Sequence, residues 1–392
     1  MNTRPAVTFI VMVVACCATQ PAHGSGTIPA ADLPVEVTVD TAANMRFSKA
    51  VNHTLLAMQS RMQDRLCHPL LPRVTLPPTR PAYCEGTVEK GLPPAITQVV
   101  VLREGQIWRW AMSHPAQFEQ RWPVGSLSKA IIALPLLAID GARPDERWCP
   151  QAIDGLHNAD GGAGVADCHI STAELSATAA MAKSNNLATI WRLKRVPLSH
   201  LRNELVKAGL QPTADQIHPA VAAALGMIEL TPRQALECFD ALASGQARRA
   251  AMTSHARAPA SPFAQWCAKS ATTPAARRFV LQMLTAPAVG GGTAAFVPGL
   301  RPNVGRVLAK TGTPTNDQGH ATAKHLLTSF KHGGVRYTSL VSITAPKPAW
   351  PLGTALSAID LKELVGVIAH SLDQAHPTAR STHQPKNLHG KS

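Results

Sequence analysis

The chain has 392 residues, 45% apolar and only 4% aromatic, with a net charge of +14. That length supports a large core in one or two domains, and the apolar content is ordinary for a globular protein. The charge raises the question of nucleic acid, but the scarcity of stacking aromatics and the lack of any binding motif argue against such a partner.

The first residues read Met1-Asn2-Thr3-Arg4, then an apolar run to Ala15, then the small residues around Ala22-His23-Gly24. This is the pattern of a signal peptide over 1–24, too short for a confident membrane span. Val13-Val14-Ala15-Cys16 resembles a lipobox, so a lipid anchor before Cys16 is the alternative, and an uncleaved anchor the third. The reading is therefore an exported chain, either free or peripherally or lipid-attached to a membrane. Its basic character then suits an anionic surface such as a cell wall or headgroups, or a solvated face with no partner. Past the leader remain Cys67, Cys84, Cys149, Cys168, Cys238 and Cys267. An even count in an exported chain suggests disulfides. Pairing 67–84, 149–168 and 238–267 closes the shortest loops, with buried free thiols as the competing reading. No C-x-x-C or H-x-x-x-H spacing occurs, so no metal site is expected.

Residues 25–94 divide into a leader, a strand-helix pair and a linker rich in Cys and Pro. Val35 to Val39 alternates like a strand. Asp40 or Thr41 can cap a helix to about Arg65, with Met45, Val51, Leu55, Met58 and Met62 as its apolar positions. From 95 to 372 runs the main domain. Ile96–Leu102 and Gln106–Met112 read as a hairpin about Glu104-Gly105, the first strand apolar enough to be covered on both faces. Ser126-Leu127-Ser128-Lys129 then opens an apolar helix, Ala130 to Ile139, with a kink expected at Pro135. Residues three apart share a helix face, so the Lys129 amine lies beside the Ser126 hydroxyl. A serine is a poor nucleophile without a base, and a lysine is a base near neutrality only when desolvated or placed near another cation.

Residues 141–170 are polar and read as a loop. Ser171-Thr172-Ala173-Glu174 is a capping-box pattern that starts a helix ending at Lys183-Ser184-Asn185-Asn186. A further helix starts near Leu187. Residues 198–209, 231–244 and about 275–285 are helical, with 245–275 a loop. Thr231-Pro232 is a strong helix start. Leu308 to Thr313 and Gly334 to Ala345 read as strands, 360–372 as an amphipathic helix, and 373–392 as a disordered tail.

Ser126-x-x-Lys129, Ser184-x-Asn186 and Lys310-Thr311-Gly312-Thr313 occur in that order. The triple resembles the signature of serine penicillin-recognising enzymes. Leu225-Gly226-Met227-Ile228-Glu229-Leu230-Thr231-Pro232 and Gly291-Gly292-Thr293-Ala294 also resemble blocks of the transpeptidase module of class A penicillin-binding proteins. The similarity spans about 35–372. It implies an α/β (α+β) fold of the β-lactamase/transpeptidase type: a five-stranded antiparallel sheet flanked by helices, with an all-helical lobe. It also implies a periplasmic D,D-transpeptidase acting on D-Ala-D-Ala stem peptides of peptidoglycan and acylated by β-lactams, without cofactor or metal. A D,D-carboxypeptidase, a slow β-lactamase and a non-catalytic cell-wall or lactam-binding sensor are the alternatives.

By resemblance, Ser126 is the nucleophile and Lys129 its base. Ser184 and Lys310 return a proton to the leaving amine, and Asn186 orients Lys129 and the substrate. Thr311 and Thr313 receive the terminal carboxylate. Gly312 lets the strand approach the substrate, and the backbone N–H groups of Ser126 and Thr313 form the oxyanion hole. The chain departs from the family in three ways. No glycosyltransferase domain precedes the module, so a separate glycan polymerase is the expected partner. The aromatic stretch after Asp317 is replaced by Gln318-Gly319-His320-Ala321-Thr322. No E-x-x-L-N lies between Asn186 and Lys310, so rapid lactam hydrolysis is not expected.

Overall fold

The structure is a computed structural model, described here for residues 40–67, 96–113, 115–149, 175–211, 217–250, 259–297, 306–315, 321–344 and 358–375. Several expectations lie outside these residues. They are the leader peptide, the strand at Val35–Val39, the linker with Cys84, the capping box at Ser171–Glu174, and Cys168.

The main sheet has five antiparallel strands. These are β1 (Ile96–Arg103), β2 (Gln106–Met112), and, after the short pair β3 (Arg147–Trp148) and β4 (Leu175–Ser176), β5 (Leu308–Gly312), β6 (Ala323–His332) and β7 (Val335–Thr344). Their order is β2-β1-β7-β6-β5, so β7 is central, β1 is interior beside it, and β5 is an edge. This is the expected fold, with helices over both faces. On one face, Val99, Val101, Leu326, Tyr337 and Val341 pack with Phe47, Val51 and Met58 of α1 (Thr41–Cys67). Leu361, Leu364, Val365 and Ile368 of the carboxy-terminal helix (Ala358–Ala375) join them. That helix runs past the expected end at 372. On the other face, Val100, Leu102, Leu327 and Leu340 meet the segment that follows Ser126 and the helical lobe.

Strand β6 is absent from the sequence reading because its buried positions carry His325, Thr328 and Ser329, which break the apolar pattern. The partners come from neighbouring elements. His325 Nδ1 lies 2.9 Å from Ser342 Oγ, Thr328 bonds Ser339, and Thr338 donates to Asp240 while accepting from Ser329. Buried hydroxyls paired in this way avoid the desolvation penalty of orphaned polar groups.

The lobe holds α3 (Ala177–Ala182), α4 (Asn186–Leu193), α5 (Leu198–Lys207), α6 (Pro219–Leu225), α7 (Pro232–Ser244), α8 (Pro262–Ser270) and α9 (Pro274–Thr285), numbered after α2 (Leu134–Ile139). Thr231 and Gln234 form a reciprocal capping box at α7. Three readings need correction. First, α3 begins after Leu175-Ser176 has paired with Arg147-Trp148, and Ser176 is its cap. Second, the loop read over 245–275 contains α8, whose start is marked by Ser261 capping ahead of Pro262; the surrounding Ala, Pro and Arg masked that signal. Third, Cys149 is a free thiol, so the 149–168 bridge is not formed. Sequence spacing ranks loops by closure entropy but says nothing of whether two Cβ atoms come within reach. The 238–267 bridge is present and ties α7 to α8.

Candidate active site

Ser126 sits in a tight 3-10 turn, Gly125–Leu127, and Lys129 begins a π-helical stretch that continues to Ala133. The expected regular α-helix starts only at Leu134, with Pro135 in its first turn. Pro135 lies inside a continuous right-handed helical run, Lys129 to Ile139, and its missing N–H coincides with the change from π to α winding. The wider π turn, closed by Leu134 N–H donating to Lys129 C=O, occurs at the residue whose side chain the site uses.

Lys129 is fully buried, and its Nζ donates to Ser126 Oγ at 2.7 Å and to Asn186 Oδ1 at 2.6 Å. Burial draws its pKa down to about 7. Asn186 is free for this contact because its neighbour Asn185 performs the capping of α4, accepting from Ala188 N–H. Between α3 and α4, Ser184 takes a left-handed backbone, φ 54°, rare for a residue with a side chain. The turn is braced by Asn185 N–H donating to Ala180 C=O and by Thr293 N–H donating to Ala182 C=O. The Gly292 position leaves no room for a Cβ, which would lie 2.3 Å from Pro287 O.

Lys310, also fully buried, donates to Ser184 Oγ at 2.8 Å and to Thr311 C=O at 2.7 Å. Its pKa is held well below the ordinary lysine value, first by burial and then by the charge of Lys129. The structure thus gathers Ser126, Lys129, Ser184, Asn186 and Lys310 from the nucleophile turn, the α3–α4 turn and the edge strand. Thr311 and Thr313 are half-buried on or just past that strand.

What sequence reasoning missed is how tightly these segments meet. A Cβ at Gly312 would lie 2.7 Å from Leu127 Cγ and 2.8 Å from Val124 O. The glycine therefore admits the nucleophile turn, a tighter constraint than the approach of substrate expected of it. Gly125 has φ 51° and a Cβ there would meet Pro314 N at 2.6 Å; at Gly226, φ 76°, a Cβ would meet Gly125 O at 2.2 Å. Main chain from the strand and from the α6 end thus grips the turn on two sides. Trp122, bridged to Leu230, stands edge-on to the buried His325 ring with centroids 3.7 Å apart. Lys324 was also unforeseen: its Nζ donates to Thr313 Oγ1 at 3.1 Å. Only the register of β5 on β6 brings it there, and no local motif carries that information. Among the described residues, no cluster of side chains suits a metal ion.

No family model and no curated protein sequence matches the chain. Solved structures do. The apo transpeptidase domain of penicillin-binding protein 3 from Burkholderia pseudomallei has a TM-score of 0.56 at 15% identity, over 84% of this chain and 95% of that one. A peptidoglycan glycosyltransferase from Burkholderia ambifaria has a TM-score of 0.54 at 14% identity, over 84% and 96%. Its five-stranded antiparallel sheet and helical lobe, with the extent of both matches, give the chain the fold of a penicillin-binding protein transpeptidase domain.

Proposed function

We propose that the protein is a serine D,D-transpeptidase that works through an acyl-enzyme on D-Ala-D-Ala stem peptides of peptidoglycan and is acylated by β-lactams. The observation that carries this reading is the placement of a buried, low-pKa amine, Lys129, between Ser126 Oγ and Asn186 Oδ1. A nucleophile within hydrogen-bond reach of a base, itself oriented by a third group, is the arrangement acyl transfer requires.

In this reading Ser126 Oγ attacks the penultimate carbonyl carbon while its proton passes to Lys129 Nζ. Charge builds on the carbonyl oxygen, toward which the backbone N–H groups of Ser126 and Thr313 direct their dipoles. Support comes from the main chain at Thr313 and Pro314, which lies against Gly125 next to the nucleophile. Collapse breaks the C–N bond, and the departing amine takes a proton from Ser184, resupplied by Lys310. Thr311 and Thr313 hold the terminal carboxylate. The ester on Ser126 is then released to an acceptor amine, forming a cross-link, or to water, releasing a shortened peptide. Export to the periplasm, with or without membrane attachment, and a separate glycan polymerase belong to the same proposal.

The test is covalent labelling of the mature protein by a fluorescent penicillin, with Ser126→Ala as control. A stable adduct lost in the variant supports the reading, and decay within minutes redirects it toward a lactamase. A folded wild type that does not label refutes the catalytic reading and leaves the sensor. Product analysis with and without an acceptor amine separates transpeptidase from carboxypeptidase.

A further inference from the structure

A cavity of about 260 Å³ opens on the α1 face of the sheet, between the start of α1 and the end of the carboxy-terminal helix. The nucleophile turn packs on the other face. Arg109 of β2 reaches this cavity through a β-bulge. The register of β1 on β2 shifts between Val101, paired with Arg109, and Leu102, paired with Ile107, so Trp108 is an extra residue. A bulge re-aims the side chains around it. Ile107 packs into the core that holds the nucleophile turn, while Trp108 joins the α1 face, 5.2 Å from Tyr337 between ring centroids. Arg109, opposite Val101, faces the same way, and its guanidinium lies over the Trp108 ring, 4.4 Å from the centroid.

Arg109 is only 7% exposed, and its donors are under-used. Of the five N–H groups a guanidinium carries, one on Nη1 donates to Trp108 C=O at 3.0 Å, and Nε is buried without a hydrogen-bond partner. No carboxylate of the described residues forms an ion pair with it. Asp40 favours its charge, but Asp40 Oδ1 is engaged as the cap of α1, accepting from Ala43 N–H at 2.9 Å. A buried guanidinium short of acceptors is costly unless something meets it. Arg46 adds a second positive charge to the lining, and Phe47, Ala50 and Val367 supply an apolar wall. His370 and Gln374, also in the lining, are tied to each other, 2.9 Å apart.

We propose that this cavity is a binding site for a small organic monocarboxylate with a compact apolar body. The carboxylate lies on Arg109 and Arg46, and the body lies against Phe47, Ala50 and Val367. The planar guanidinium fork matches the two carboxylate oxygens. Ligand cavities commonly span about 300–1,000 Å³, so this one admits only a short hydrocarbon body. Two arginines against Asp40 leave one positive charge. A single negative charge balances it, and Asp40 opposes the second charge of a phosphate or a dicarboxylate. The site stands independently of the acyl-transfer reading.

The test titrates the mature protein at pH 8 with isovalerate and with its neutral amide, isovaleramide, followed by ligand-observed NMR and calorimetry. Isovalerate should bind with a Kd on the order of 1 mM, and isovaleramide at least about tenfold more weakly. Arg109→Gln should weaken isovalerate at least about tenfold through loss of the charge-assisted pair. Val367→Phe fills the cavity with both arginines in place and should abolish binding, which upholds the site even if Arg109→Gln fails to fold. Four results would each overturn the inference: wild type binding neither ligand, the amide binding as tightly as the acid, succinate or inorganic phosphate preferred to isovalerate, or binding that survives in folded Val367→Phe.

Discussion

Replacing Lys129 with Met keeps much of the side-chain volume and removes the amine. In the folded protein burial moves this amine from 10.5 to about 7. A shift of about 3.5 units corresponds to about 5 kcal/mol between the two protonation states. The sign follows from proton counts. Between pH 7 and 10.5 the unfolded chain holds a proton at this lysine that the folded chain has lost, so stability rises with pH across that window. Below pH 7 both states are charged and the full penalty of the buried ammonium is present. Lys129→Met should flatten this rise by about 5 kcal/mol. Part of the depression at Lys310 comes from Lys129 and relaxes with it, which adds to the flattening. The measurement is urea unfolding of both proteins from pH 6 to 10. In wild type, the rate of penicillin acylation should also climb with pH to a plateau, with its acid limb near 7. Parallel stability slopes in the two proteins, or an acid limb above pH 9, would refute the argument that burial makes Lys129 a base.

Three further outcomes follow from contacts. In Gly312→Ala the new methyl meets Leu127 Cγ at 2.7 Å and Val124 O at 2.8 Å; melting should show a loss of about 1–3 kcal/mol. The displaced turn should also slow acylation about 100-fold. Asn186→Ala removes the 2.6 Å partner of Lys129; single-turnover labelling should slow about 10- to 100-fold through misplacement of the base, and an unchanged rate would deny Asn186 its orienting role. Removing the Cys238–Cys267 bridge by paired Ala substitutions opens a loop of sequence separation 29; denaturant titration should reveal a loss of about 3–4 kcal/mol, and a loss below about 1 kcal/mol would show the lobe pinned by packing alone.

The hairpin at Glu104-Gly105, the long helix from Thr41, the start of α7 and the carboxy-terminal helix were legible because each carries its own period or cap. Helix α8 carried a cap as well, but in a stretch whose composition reads as loop. Strand β6 was unreadable because its buried hydroxyls and His325 depend on partners in β7 and α7 for their burial. A period-2 pattern records only which side chains are apolar, and here apolarity and burial part company.

The sequence by itself determined which groups meet within a few residues: Ser126 with Lys129, Ser184 with Asn186, and the run from Lys310 to Thr313. Those spacings are set by local backbone geometry, which short motifs encode. Only the tertiary structure decided that Lys129 reaches Asn186, that Lys310 reaches Ser184, that Gly312 and Gly226 clear space around the nucleophile turn, and that Lys324 stands behind Thr313. Each of these joins residues from different elements, so it depends on strand register and on how the lobe packs against the sheet. The low pKa of the two lysines has the same origin, since it arises from the water that the assembled core excludes.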